Sequence, residues 1–134
     1  MNSKNLRVLG FHEWFEFSIK NADRLLHWLP REKGVYVIRY KNHFGRFKGK
    51  SDIMYLGSSV EENDGLRRRI RFFFKPGKSQ KTSKRINKWL RTIQGFEISY
   101  ITVSKGKKAR EIEAKLREEY GRRHGEFPPW NRNA

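Results

Sequence analysis

The stretch GVYVIRY, Gly34 to Tyr40, decides how the rest of the chain is read. It is short, rich in β-branched and aromatic residues, and follows Pro30 and a charged segment, so it reads as a strand. A strand sends successive side chains to opposite faces. Val35 and Val37 therefore share one face, and Tyr36, Ile38 and Tyr40 share the other. A phenol fills a core well only where its hydroxyl finds a partner. Taken alone, the strand is satisfied by a half-buried tyrosine with its hydroxyl at the sheet edge. Two tyrosines on one face raise the question of what they meet.

Working outward, IMYLGS (53–58) gives a second strand, antiparallel to the first across the polar loop KNHFGRFKGKSD (41–52). VEENDG (60–65) reads as a turn with Ser58 and Ser59 leading into it. GLRRRIRFFFK (65–75) spaces Leu66, Ile70 and Phe73 at helical intervals. A helix over 84–93 would turn Ile86, Leu90 and Ile93 inward, with Ser83 as its cap. FEISYITVS (96–104) alternates as a third strand. Residues 107–124 form a last helix, buried through Ala109, Ile112, Leu116 and Tyr120. Before all these, residues 1–29 carry Phe11, Trp14, Phe15, Phe17 and Trp28. They contain a helix with Leu25, Leu26 and Leu29 that Asn21 could cap. The expected fold is α/β (α+β): a small, mostly antiparallel three-stranded sheet flanked by helices. One domain is expected, an aromatic-rich extension (1–29) packed on a module spanning 30–134.

With 134 residues and a net charge of +17, the chain is expected to have a polyanionic partner. Its cations are spread over several loops and helices with aromatics among them, which favours nucleic acid over a membrane surface. No apolar run approaches the length of a membrane span. The N-terminal residues lack a signal-peptide core, so a cytoplasmic protein is expected. The absence of cysteine excludes disulfides and thiolate metal sites. His12, His27, His43 and His124 show no metal-ligand spacing.

Two side chains stand at helix margins. On the 65–75 helix Arg69 lies about 60° from the centre of the apolar stripe, whereas Arg68 and Arg71 point well away. On the last helix Glu113 borders the buried face. A snorkelling arginine and an ion-paired glutamate account for both equally simply. The 41–52 loop interleaves Phe44 and Phe47 with Arg46, Lys48 and Lys50, and a second basic loop carries Lys75, Lys78, Lys81, Lys84 and Arg85. Such loops follow a phosphate backbone while aromatics stack on bases, or they are simply solvated. Candidate nucleic-acid contacts are Arg46, Lys48, Lys50, Arg71, Lys78, Lys81, Lys84 and Arg85.

The ordered set GVY, YLG, LRRRIRFFF, EIEAKLREEY and PPWN resembles the GIY-YIG nuclease superfamily, from about Pro30 to Asn131. Gly34-Val35-Tyr36 matches the first signature and Tyr55-Leu56-Gly57 the second. Arg69 matches the helical arginine, in a stretch similar to the nuclease module of the excision-repair incision subunit. Glu113 matches the metal-binding glutamate and Asn131 the terminal asparagine. The Tyr36–Tyr55 gap is long for the family, implying an inserted loop. Phe73 stands where many members have Tyr or His, and Ser58 where the repair branch tends to have Lys.

The resemblance implies a metal-dependent DNA endonuclease that hydrolyses phosphodiesters with one divalent cation, Mg²⁺ or Mn²⁺, on Glu113. Arg69 would grip phosphate oxygens. Tyr36, or secondly Tyr55, would take the proton from water, giving a rate that rises into the alkaline range. Asn131 would orient a phosphate or a catalytic side chain. The substrate would be double-stranded or branched DNA. A homodimer, with the aromatics of residues 1–29 at its interface, is one arrangement that would cut both strands. A non-catalytic nucleic-acid-binding module on the same scaffold is the alternative. Charge and size alone also suit a ribosome-associated RNA-binding protein.

Overall fold

The computed structural model describes residues 1–60, 64–104 and 107–131. The order of elements is α1 (Ser3–Val8), β1 (Phe15–Glu16), α2 (Ala22–Trp28), β2 (Gly34–Gly45), β3 (Lys50–Ser59), α3 (Gly65–Phe74), α4 (Lys81–Thr92), β4 (Phe96–Thr102) and α5 (Ala109–His124). The fold is α+β. Its strands form one open sheet in the order β1-β4-β2-β3, antiparallel throughout.

Alternation along β2 divides the core. Tyr36 and Ile38 join Ile98 and Tyr100 of β4 on one face, under α2, α3 and α4. Val35 and Val37 join Ile53 and Leu56 on the other, where Leu6 of α1 and Ala109, Leu116 and Tyr120 of α5 cover them. The first half of β2, Gly34 to Ile38, is therefore buried on both sides, which explains its unbroken apolar composition. The α3 stripe is as expected: Leu66, Ile70 and Phe73 are all fully buried.

Several details differ from the sequence reading. The sheet has four strands, because Phe15–Glu16 pairs with Ile98 and Glu97. Residues 1–29 are shared among the layers: α1 lies on one face, β1 extends the sheet and α2 lies on the other face. Their aromatics have intramolecular partners. Phe11 and Phe17 are buried, Phe15 stacks on Trp28, and Arg39 lies over Trp14. The stretch read as a polar loop is mostly strand. β2 and β3 continue to a tight turn closed by the Arg46 N–H to the Gly49 carbonyl, so a longer hairpin takes up the gap between Tyr36 and Tyr55.

Ser58 and Ser59 lie in β3, not in a turn. The turn expected at 60–65 falls partly outside the described residues. Ser83 is buried inside α4 rather than capping it, because the helix begins at Lys81. Ile93 lies past the end of α4 and is exposed. Asn21 precedes α2, but its side chain donates to the Glu16 carbonyl and makes no cap bond. β4 ends at Thr102, and α5 starts at Ala109. Among the described residues, no helix is long and apolar enough to cross a membrane.

Candidate functional site

Tyr36 and Tyr55 lie on the α3 face of neighbouring strands. Their ring centroids are 6.0 Å apart, and Phe73 packs edge-on against both. Gly57 pairs with Tyr36 across the ladder. Arg69 reaches this group from α3. Its guanidinium sits 5.1 Å from the Phe73 ring centroid and donates to Ser83 Oγ of α4 at 3.3 Å. Phe73 has no exchangeable proton on its ring; it serves as an apolar shelf for the guanidinium and both phenols.

The electrostatics follow from burial. The Tyr36 hydroxyl is enclosed without a hydrogen-bond partner at normal geometry. Burial pushes its pKa well above the ordinary phenol value; Tyr55 adds to the rise and Arg69 opposes it. Tyr55 is also raised, again mainly by burial, with Arg69 opposing. The two phenol oxygens, Tyr36 foremost, hold Arg69 more firmly protonated. Glu113 is close enough to contribute at both tyrosines and at Arg69.

Glu113 comes from the opposite layer. It projects from α5 and meets the edge strand β3, where Ser58 Oγ donates to Oε1 at 2.9 Å. Arg117, one turn on, places Nε 2.7 Å from Oε2. The carboxylate is largely shielded, its side chain 14% exposed. The group therefore straddles β3, with two phenols and a guanidinium on one face and, on the α5 face, a carboxylate held by Ser58. Beside it lies a cavity of about 170 Å³ lined by Ser58, Arg68, Arg69, Phe72 and Arg110. A larger cavity, about 760 Å³, lies between β1, β4 and the end of α4 and contains none of these residues.

Asn131 stands next to the group, but both ends of its amide are engaged. Its Oδ1 accepts from the Leu56 N–H and its Nδ2 donates to the Leu56 carbonyl, each at 2.9 Å. The Trp130 N–H bonds the Met54 carbonyl. The tail thus covers the open edge of β3 beside Tyr55 and Gly57, a common way of managing an edge strand. Trp130 is anchored by stacking on Trp89 at 4.8 Å.

The candidate nucleic-acid contacts separate into two sets. Arg46 is pinned by Glu126 and by the Phe127 carbonyl, with its side chain only 13% exposed. Lys48 bonds the carbonyls of His124 and Arg122 through its backbone N–H and its ammonium, and His124 Nδ1 bonds the Lys48 carbonyl. These contacts fix the hairpin tip to the end of α5. Lys50 is exposed at the start of β3. Arg71, Lys78, Lys81 and Lys84 are exposed on the α3–α4 side, and Arg85 is half-buried.

The sequence reading missed Ser58 and Ser83 as the groups that hold Glu113 and Arg69. A serine carries no signal of its own in a strand or a basic helix. Comparisons of the chain with protein-family models, curated proteins and solved structures find no match.

Proposed function

We propose that the protein is a metal-dependent DNA endonuclease of GIY-YIG type. The observation that carries this reading is the meeting of Tyr36, Tyr55 and Arg69 with Glu113 across a single edge strand. These groups come from four different elements, β2, β3, α3 and α5. A core has little use for a fully buried phenol whose hydroxyl faces only a second phenol and a guanidinium, since a poorly satisfied buried hydroxyl costs about 1–3 kcal/mol. Perturbed, converging ionisable groups of this kind are a recurrent mark of reactive sites.

Glu113 is the residue that would hold a divalent cation. One carboxylate completed by water would suit Mg²⁺ or Mn²⁺. The Ser58 hydroxyl leaves Oε1 a second lone pair, and Arg117 would swing away from Oε2. Such an ion supplies Lewis-acid stabilisation of the charge that develops on phosphate oxygens. Arg69 offers those oxygens a planar fork of donors, held in aim by Ser83 and Phe73. Tyr36 or Tyr55 would accept the proton of the attacking water. Tyr55 is the more accessible of the two, while the Tyr36 hydroxyl makes no hydrogen bond of normal geometry.

The test is to incubate the protein and its Glu113→Ala variant with supercoiled plasmid at pH 8, with Mg²⁺ or with EDTA. Nicking that requires the metal and disappears in the variant is the expected result. A non-catalytic nucleic-acid-binding module is the second reading, favoured by the engagement of both Glu113 oxygens with Ser58 and Arg117. It predicts salt-sensitive DNA binding with no cleavage in either buffer.

A further inference from the structure

Between Gly65 and Phe96 the chain has eleven lysines and arginines and none of its 14 acidic residues. This segment contains α3 and α4. The inner side of α4 is fully used: Ile86 and Leu90 enter the core, Ser83 accepts from Arg69, and Asn87 Nδ2 donates to the Phe73 carbonyl at 2.8 Å. At 100° per residue the opposite side presents Lys81, Lys84, Lys88 and Arg91, all exposed. Only local bonds engage them: Lys84 Nζ donates to the Lys78 carbonyl, and Arg91 Nε to Asn87 Oδ1. On α5, by contrast, exposed cations are interleaved with acids, as where Glu119 holds both Arg122 and Arg123.

We infer that this outer face of α4 is the track for the phosphate backbone of a DNA duplex. The inference rests on the proposed function for the identity of the polyanion. Its geometry is independent of the chemistry. Lys81 and Arg91 are ten residues apart, about 15 Å along a helix. Phosphates of one strand advance about 3.4 Å each along the duplex axis, so the stripe spans roughly four of them. A row of cations without acids attracts phosphate along its whole length.

The track also replaces the hairpin tip in that role. Arg46 and Lys48 spend their polar groups on Glu126 and on the carbonyls at the end of α5. Lys88 and Arg91, absent from the contacts expected from sequence, take their place. The four α4 side chains are lysines and an arginine that read no base pattern at this exposure, so binding along the track is independent of sequence.

The experiment is fluorescence-anisotropy binding of labelled 25-base-pair duplexes of two unrelated sequences, in EDTA, across a salt series. The parent is compared with a Lys81→Gln/Lys84→Gln/Lys88→Gln/Arg91→Gln variant. A control variant has the same charge change at the exposed Lys4, Arg7, Lys107 and Lys115. Each lost phosphate contact flattens the log–log salt slope by about 0.9. The expected result is a slope shallower by about 3 to 4 for the α4 variant and by less than about 1 for the control, alike for both sequences. Glutamine is a good helix former, so α4 is retained, as circular dichroism will report. Lys88→Glu alone is the second variant should the fourfold change unfold the chain; it is expected to weaken binding about tenfold or more. An α4 variant with the parent's slope, or equal effects of the two fourfold variants, overturns the track while leaving metal-dependent nicking untouched. A parent that fails to bind either duplex overturns the track and the proposed function together.

Discussion

Gly57 faces Tyr36 across the β2–β3 ladder, and the Tyr36 ring occupies the space a side chain there would need. A Cβ built on residue 57 would stand 2.4 Å from Tyr36 Cζ and 2.5 Å from its hydroxyl, and 2.8 Å from Tyr55 Cε2. Glycine is thus required because a phenol lies directly over the backbone. Gly57→Ala is expected to displace the Tyr36 ring, to lose about 1–3 kcal/mol of stability, and to reduce nicking. Urea unfolding and plasmid nicking measure the two effects. Unchanged values for both would mean that the ring moves aside freely and that its position does not matter.

Tyr36→Phe separates function from packing. Its hydroxyl is buried and meets only Tyr55, without a hydrogen bond of normal geometry, so removing it takes away more cost than bond. The variant is expected to melt at the parent's temperature or higher while nicking falls by a factor of about 10² or more. Tyr55→Phe makes the companion measurement, and the larger rate loss of the two marks the residue that takes the proton. A variant equally active in both respects would remove the tyrosines from the proposed chemistry.

Nicking is expected to rise from pH 7 into the alkaline range, since burial raises both tyrosine pKa values and the proposed base works deprotonated. Stability runs the other way. A phenol whose folded pKa exceeds its unfolded value of about 10 contributes fully below that value. The contribution is lost as pH climbs towards the folded pKa. Melting temperatures between pH 8 and 11 should therefore fall above about pH 10, and less steeply in Tyr36→Phe. A flat profile in that window would show that the phenols ionise alike in the folded and unfolded chain.

Arg117→Met is expected to free Glu113 Oε2 while keeping the apolar stem of the side chain. The Mg²⁺ concentration for half-maximal nicking should then fall several-fold. A titration of initial rate against Mg²⁺ measures it. A rise would mean that Arg117 aims the carboxylate instead of competing for it.

Asn131→Ala removes both hydrogen bonds that close the β3 edge at Leu56. A loss of about 1–3 kcal/mol is expected, because the Leu56 N–H is left buried without an acceptor. The Leu56 amide should exchange its hydrogen faster, and this reports edge opening directly. Full stability with lost nicking would instead assign Asn131 to the chemistry.

Much of the fold was legible because periodicity is a local property. The alternation in GVYVIRY placed Tyr36 and Ile38 on one face and Val35 and Val37 on the other, as the two core clusters have it. The spacing of Leu66, Ile70 and Phe73 placed α3 and left Arg69 at its margin. The hairpin arms were illegible because their side chains are mostly exposed and polar, so no apolar alternation marked them as strand. β1 is two residues long and exists only because β4 offers it an edge. Arg46 gave no hint of its burial, since Glu126, which holds it, is 80 residues away in the chain.

By itself, then, the sequence determined which residues of GVYVIRY and of α3 face which side, the absence of thiol chemistry and the strong positive charge. Only the tertiary structure decided that Glu113 comes within electrostatic reach of Tyr36, Tyr55 and Arg69. The carboxylate rides on a helix packed against the other face of the sheet, where Ser58 of the edge strand holds it. Side-chain pattern along an element sets its buried face. How near a boundary residue comes to groups across the sheet depends on the docking of a helix across two layers, which is fixed by long-range packing that no local spacing records.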